Sequence, residues 1–450
     1  MMNKMSALWA ALLFFSATSA QTTITSSIDK YMQAQVKVKE FSGAVLVVKK
    51  GTIVYDKAFG LADREWNNLN TTQTKFRIGS NTKQFTAACI LQLEAQGKLK
   101  LTDKLTAYIP SFPKGDSVTL HMLLSHTSGI ASYTGIPEFW DSYAYIPMSP
   151  DSFIAVFKNK PFDFTPGTNC KYSNSGYHLL GMIIEKISGE SYSDYLTKNI
   201  LVPTGLQYTR LDRLDTVLPN RAKGYYKEKN IYYNAMPLAM EAAYSAGAMY
   251  STTGDLYKWA KALHHNGVLS AASVKKMTTH YATTAAGDEK FGYGLLIDSI
   301  GTHPQIWHDG SIPGFTSWLA YYPNDDVYVV AVSNTSFSSI NIGTGLAHVL
   351  FNILIELPYV HKAITLPEST LTKFVGSYDA VPPFEIILRN GKLYRHRPTG
   401  RDIELKPESS NKLFYDDDSD RQLLFEFAGD TVSKVFIIAA GIKTEIKKKN

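Results

Sequence analysis

The sequence predicts an α+β protein: an antiparallel sheet flanked by helices, a helical lobe beside it, and a small C-terminal all-β barrel-like domain. Three observations carry this reading. Apolar and β-branched runs at Gly43 to Val48 and Thr52 to Phe59, split by Lys50-Gly51, form a strand hairpin early in the chain. Three more runs fill Pro304 to Val332, separated by Pro313-Gly314 and Pro323-Asn324-Asp325-Asp326, while Arg77 to about Ala262 is mainly helical with long polar loops. From Leu371 onward short strands recur, at Phe384 to Leu388, Lys392 to His396, Lys412 to Tyr415, Leu423 to Phe427 and Val435 to Ala439. Asn390-Gly391 between two of them is a strong hairpin signal.

Taken in order, residues 1–20 read as a secretory signal peptide: Lys4 is the basic start, Met5 to Phe15 the apolar stretch, and Ser16 to Ala20 the small-residue exit. Cleavage is expected after Ala20. That apolar run is too short to span a bilayer, and no later one approaches about 18 residues, so the expectation is an exported protein, periplasmic or secreted, without a transmembrane segment. Residues 21–360 then form the main domain and 361–450 the barrel-like domain. Ile28 to Val38 reads as an amphipathic helix, as does Gly345 to Leu357, and Pro358 to Thr370 is the connector. Asp416, Asp417, Asp418 and Asp420 lack the glycine and terminal glutamate of an EF-hand loop and read as a solvated hairpin tip.

With 44% hydrophobic and 19% charged residues the chain is globular. The net charge of +6 is spread out, and its densest run, Lys447 to Lys449, reads as a solvated tail, so no nucleic-acid partner is expected. Cys89 and Cys170 read as buried unpaired thiols in preference to a disulfide, Cys89 because it lies in an apolar helix. Nothing resembles metal-ligand spacing, and neither metal nor cofactor is expected.

The chemistry is carried by Ser80 and Lys83, one helical turn apart in FRIGSNTKQFTAACILQLEAQGKL. A serine hydroxyl needs a base to attack anything at neutral pH, and a spacing of three can put an amine beside it. The chain holds five Ser-x-x-Lys tetrads, at Ser27, Ser80, Ser111, Ser273 and Ser409, and any one of them is ordinarily a surface pair. Ser80 differs in its setting. Phe85, Ala87, Ala88, Cys89, Ile90, Leu91 and Leu93 make the following helix apolar nearly all round, hence buried. A lysine at its start must be paired or neutral. Tyr172 and Asn174, two apart in an extended loop, can face one cleft, the phenol as a proton shuttle and the carboxamide as a substrate contact. His308 and Gly310 would face the same cleft from a late strand, the glycine letting a substrate backbone lie against the strand edge.

Each motif recurs by chance, but the ordered set resembles the serine β-lactamase and penicillin-binding family, in particular its class C β-lactamase, D-alanyl-D-alanine carboxypeptidase and esterase branch. LLSHTSGI at Leu123 to Ile130, the Phe164 to Tyr192 stretch, SAGAMYSTTGDLYKWAKAL at Ser245 to Leu263 and WHDGSIPGF at Trp307 to Phe315 agree with it. The tail from Leu371 resembles a lipocalin-like β-domain appended to some relatives. The resemblance implies that Ser80 is the acylated nucleophile and that Lys83 and Tyr172 share acid–base duty, with the first proton acceptor open. It further implies that Asn174 positions substrate, that the backbone N–H groups of Ser80 and Ser311 form the oxyanion hole, and that His126 is structural. His308 stands where classical members carry lysine. A largely neutral histidine that can still donate a hydrogen bond implies weaker dependence on a substrate carboxylate. The implied substrates are short peptides or amides of the cell-wall type, as for a D-alanyl carboxypeptidase or D-aminopeptidase. An esterase ranks second, a β-lactamase third, and a non-catalytic ligand-binding homologue last, since Ser80, Lys83 and Tyr172 are intact.

Overall fold

The structure, a computed structural model, describes residues 23–449 apart from 229, 230, 266, 288, 337, 338 and 418; the expected signal peptide lies outside the described residues. Helix α1 spans residues 23–39 and takes in the expected Ile28 to Val38. The chain divides into two compact units, one of Phe41–Thr344 and one of the segment up to Glu40 together with Gly345 onward.

The first unit is built on an eight-stranded sheet. Its strands are β1 (Gly43–Lys49), β2 (Thr52–Phe59), β3 (Ala282–Thr283), β4 (Lys290–Phe291), β5 (Leu296–Ile300), β6 (His303–Ile312), β7 (Phe315–Tyr322) and β8 (Val327–Ser333). They lie in the order β3-β4-β5-β6-β7-β8-β1-β2. Antiparallel pairing of Gly43 with Ser333 through Lys49 with Val327 joins the first strand to the last and closes the sheet with segments almost 300 residues apart. The sequence of β1, GAVLVVK, is a continuous apolar run rather than an alternating one because it is central and buried on both faces. Lys50 and Gly51, at φ 50° and 72°, make the tight turn into β2.

Helices α2 (Thr82–Ala95), α3 (Asn174–Ser188), α4 (Met240–Gly247) and α5 (Thr253–His264) form the lobe. Every residue of α2 from Thr82 to Leu91 is buried, as its composition requires, and Phe85 stacks on Trp259 of α5 at 4.1 Å. Helix α6 runs from Ser339 to Leu350 rather than from Gly345 to Leu357. Asn352, left-handed at φ 53°, turns the chain out of the helix well before Pro358.

In the second unit a closed barrel follows. It consists of β9 (Gly376–Asp379), β10 (Phe384–Arg389), β11 (Lys392–His396), β12 (Ile403–Pro407), β13 (Lys412–Tyr415), β14 (Arg421–Ala428), β15 (Thr431–Ala439) and β16 (Ile442–Lys448), each paired with the next. Three strands, β9, β12 and β16, exceed the sequence-based expectation. Lys447 and Lys448 are not a loose tail: they pair with Asp379 and Tyr378 and close the barrel, because an eight-strand meander needs a last strand to cover its first edge. Nor is the acidic hairpin tip simply solvated. Asp416 lies 2.8 Å from Lys406, Asp417 3.0 Å from Arg421 and Asp420 2.9 Å from Lys39, so cations brace it; Asp418 lies outside the described residues.

Candidate active site

Ser80 sits in a 3-10 turn, Gly79–Asn81, that runs directly into α2. This tighter winding brings side chains three apart nearly into line, which is what the Ser80–Lys83 spacing needs. The turn is held against β6 and β7 by a buried chain of hydrogen bonds. Ser317 donates to the Ile78 carbonyl at 2.7 Å, Asn81 Nδ2 to Ser317 Oγ at 2.7 Å, Gln84 Nε2 to Asn81 Oδ1 at 2.7 Å and Trp259 Nε1 to Gln84 Oε1 at 3.1 Å. A satisfied buried network of this kind fixes one geometry.

Two glycines permit that approach. Gly79 has φ 50°, and a Cβ there would stand 2.9 Å from the Ser311 nitrogen. At Gly310 a Cβ would fall 1.9 Å from the Ile78 carbonyl oxygen and 2.5 Å from Ser317 Oγ. The face of the strand at Gly310 is therefore covered by the turn that carries Ser80. Gly310→Ala is expected to destabilise the fold by about 3 kcal/mol, the upper end for overpacking, and to lower activity by moving Ser80. Thermal unfolding and turnover measured side by side check this; wild-type values for both would contradict it.

Lys83 is 0% exposed. Its Nζ lies 2.7 Å from Asn174 Oδ1, 2.7 Å from the Ala246 carbonyl oxygen and 3.1 Å from Ser80 Oγ. Burial holds its pKa well below the usual lysine range, only partly opposed by the negative charge of Asp309. The rings of Tyr172 and Tyr177, 4.8 and 5.6 Å away, also favour a cation. Burial is the larger effect, and the amine is neutral. A neutral amine has two protons and one lone pair. Asn174 Oδ1 and the Ala246 carbonyl are obligate acceptors and take both protons, which leaves the lone pair for the Ser80 hydroxyl.

The Asn174 carboxamide is itself fixed, its Nδ2 donating to Thr134 Oγ1 at 3.0 Å, and Ser173 caps α3. Tyr172 presents a buried hydroxyl that makes no hydrogen bond of good geometry with the described residues. Burial raises its pKa well above the phenol range, and the Ser80 hydroxyl nearby lowers it less strongly, so it is a protonated phenol at neutral pH. His126 stacks on the Tyr172 ring at 4.4 Å, and its Nδ1 accepts from the Ser173 N–H at 3.1 Å. Its Nε2 therefore carries the proton. It is buried, as expected, and also props the tyrosine.

His308 is 1% exposed. Its Nδ1 lies 2.5 Å from the Asp309 carbonyl oxygen. A carbonyl only accepts, so Nδ1 donates and Nε2 is left as a lone-pair acceptor, buried and without a partner among the described residues. Burial, with help from Lys83, lowers its pKa to about 3. The ring is neutral and donates through Nδ1, while Nε2 is a buried acceptor; the Tyr172 ring lies 6.2 Å away between centroids. Cys89 and Cys170 are both buried and unpaired.

Ser80, Asn174 and Ser311 line a cavity of about 400 Å³ with Tyr133, Phe139, Trp140, Leu238 and Phe315. No Lys, Arg, Asp or Glu side chain lines it among the described residues. Tyr172 and His308 are not among its lining residues. Sequence reasoning missed the Ala246 carbonyl, an acceptor that any residue type carries and that is free because it ends α4. Thr134 and Trp140 were missed as well, since neither belongs to a motif.

A serine backed by a buried amine, at the start of a core helix beside an antiparallel sheet, defines a class of serine hydrolases. Residues 28–342 match the family model described as Beta-lactamase, and the chain belongs to that family. It is 31% identical over 310 residues to the penicillin-binding protein PbpX of Bacillus subtilis (strain 168), covering 68% of this chain and 75% of that one. The octameric penicillin-binding protein homologue from Pyrococcus abyssi superposes with a TM-score of 0.68 at 27% identity, covering 93% of this chain and 99% of that one. A D-stereospecific amidohydrolase from a Streptomyces species superposes with a TM-score of 0.60 at 25% identity, covering 69% and 94%.

Proposed function

We propose that the protein is an exported serine hydrolase that forms an acyl-enzyme on Ser80, acting on short peptides or amides with an apolar side chain next to the scissile bond. The observation that carries this is the pair of obligate acceptors, Asn174 Oδ1 and the Ala246 carbonyl, both 2.7 Å from Lys83 Nζ. They orient a neutral amine as a base toward Ser80. Lys83 takes the Ser80 proton as the oxygen attacks the carbonyl carbon. The ammonium so formed is held by the same two oxygens. The backbone N–H groups of Ser80 and Ser311 receive the developing oxyanion. Tyr172, protonated, gives its proton to the leaving amine and regains one from Lys83. Water then repeats the sequence on the ester. Among the described residues no helix is long and apolar enough to cross a membrane; the exported state rests on residues 1–20.

The uncharged cavity supports the substrate class. A carboxypeptidase or β-lactamase of the lysine-bearing type anchors a carboxylate, and neither the cavity lining nor neutral His308 supplies a cation for one. Aromatic Tyr133, Phe139, Trp140 and Phe315 suit an apolar side chain, and the similarity to a D-stereospecific amidohydrolase favours the D configuration. The same lining suits short acyl esters, which keeps the esterase reading second. In a panel of D-phenylalanine amide, D-alanyl-D-alanine, a short acyl ester and a chromogenic cephalosporin, with Ser80→Ala as control, the amide is expected to exceed the dipeptide at least about tenfold in kcat/KM. That ratio corresponds to about 1.4 kcal/mol of transition-state binding. Preference for the carboxylate-bearing dipeptide or the cephalosporin would sink this assignment.

A further inference from the structure

The barrel holds a charged group that the hydrolytic site does not use. Arg395 lies two residues from inward-facing Leu393 on β11, so the pleat turns it into the barrel, opposite Ile386 and Ile403. It is 7% exposed. Its Nε is buried without a hydrogen-bond partner, and no described carboxylate pairs with its guanidinium. Tyr415 on β13 and Arg421 on β14 face the same end, with Arg421 4.6 Å over the Tyr415 ring. The Arg397 Nε, just past β11, is a second buried donor without a partner. Among the described residues Asp417 is the carboxylate that acts on Arg395, and it pairs with Arg421 at 3.0 Å.

A guanidinium that is always charged and nine-tenths buried is costly unless an anion meets it. Two further arginines beside it compound the cost and lower its proton affinity. We propose that this end of the barrel binds an oxyanion, a carboxylate or phosphate group, seated on Arg395 and flanked by Arg397 and Arg421. The guanidinium fork matches either group with two parallel N–H donors. Below it Ile386, Leu393, Leu405 and Leu423 fill the lumen, so the ligand is a headgroup at the mouth and not a chain threaded through the barrel.

The experiment is calorimetric titration of the full-length protein with sodium phosphate and, separately, sodium acetate, chloride being exchanged to keep ionic strength constant. One saturable site is expected for at least one anion, weakened at least tenfold in Arg395→Met and in Arg397→Gln. Binding of phosphate alone identifies a phosphate site, and binding of acetate alone a carboxylate site. The thermal midpoint of the wild type should rise by a few degrees with the bound anion, and that rise should vanish in Arg395→Met. Should Arg395→Met fail to fold, Arg397→Gln carries the test. No saturable binding of either anion, or equal binding in every folded variant, overturns the proposal.

Discussion

Ser80→Ala is expected to lower kcat/KM by on the order of 10,000-fold or more, with the fold unchanged. Removing the nucleophile of a comparable acyl-transfer machine costs about a millionfold, and what survives comes from binding and the oxyanion donors alone. Structure should persist because the Ser80 oxygen contributes little to packing. The turn around it is held by Ile78, Asn81 and Gln84 through bonds that do not involve its hydroxyl. Loss of one hydrogen bond is worth about 1 kcal/mol. Circular dichroism and thermal unfolding should therefore match the wild type while hydrolysis disappears. A variant that keeps more than about a hundredth of wild-type activity would place the chemistry elsewhere.

Lys83→Met is expected to lose about a thousandfold or more in kcat, since general-base assistance contributes about 100- to 10,000-fold and the methionine thioether cannot take its place. The pH profile gives the sharper reading. The amine works only when neutral, and burial depresses its pKa. Activity therefore rises with pH along a one-proton limb as Lys83 loses its charge. His308 titrates near 3 and adds no step above about pH 4.5, and Tyr172, pushed well above the phenol range, stays protonated through neutrality. The rate profile should show one acid limb in the wild type and none in the residual activity of Lys83→Met. A limb that survives the substitution would assign it to another group and return the base role to Tyr172.

Much of this architecture was readable before any coordinates, for identifiable reasons. The hairpin at Lys50-Gly51 and the breaks at Pro313-Gly314 and Pro323 to Asp326 mark the central strands, because turn chemistry is local. The α2 helix is apolar on every side, and only burial makes such a helix tolerable. The barrel was read less completely. Ile403–Pro407 and Ile442–Lys448 alternate apolar residues with lysine and glutamate, so each carries a weak signal alone; closure, a nonlocal requirement, makes them strands. The catalytic side chains were identified as types in order, but two features depend on contacts that no spacing encodes. One is the orientation of the neutral Lys83 amine, which needs the Ala246 carbonyl more than 160 residues away. The other is the tautomer of His308, set by the carbonyl of its own neighbour, to which Nδ1 donates. Gly310 shows the same limit: only the fold reveals that the Ile78 carbonyl sits where its Cβ would stand.

The central claim, that Ser80 is acylated because a neutral amine accepts its proton, is tested most directly by mass spectrometry of protein acid-quenched during turnover of a slow acyl ester or amide. The expected result is a mass increase equal to the acyl group, mapped to the peptide containing Ser80, absent from Ser80→Ala and reduced at low pH, where Lys83 is protonated. Unmodified protein at every quench time, or an adduct on any other residue, would contradict it.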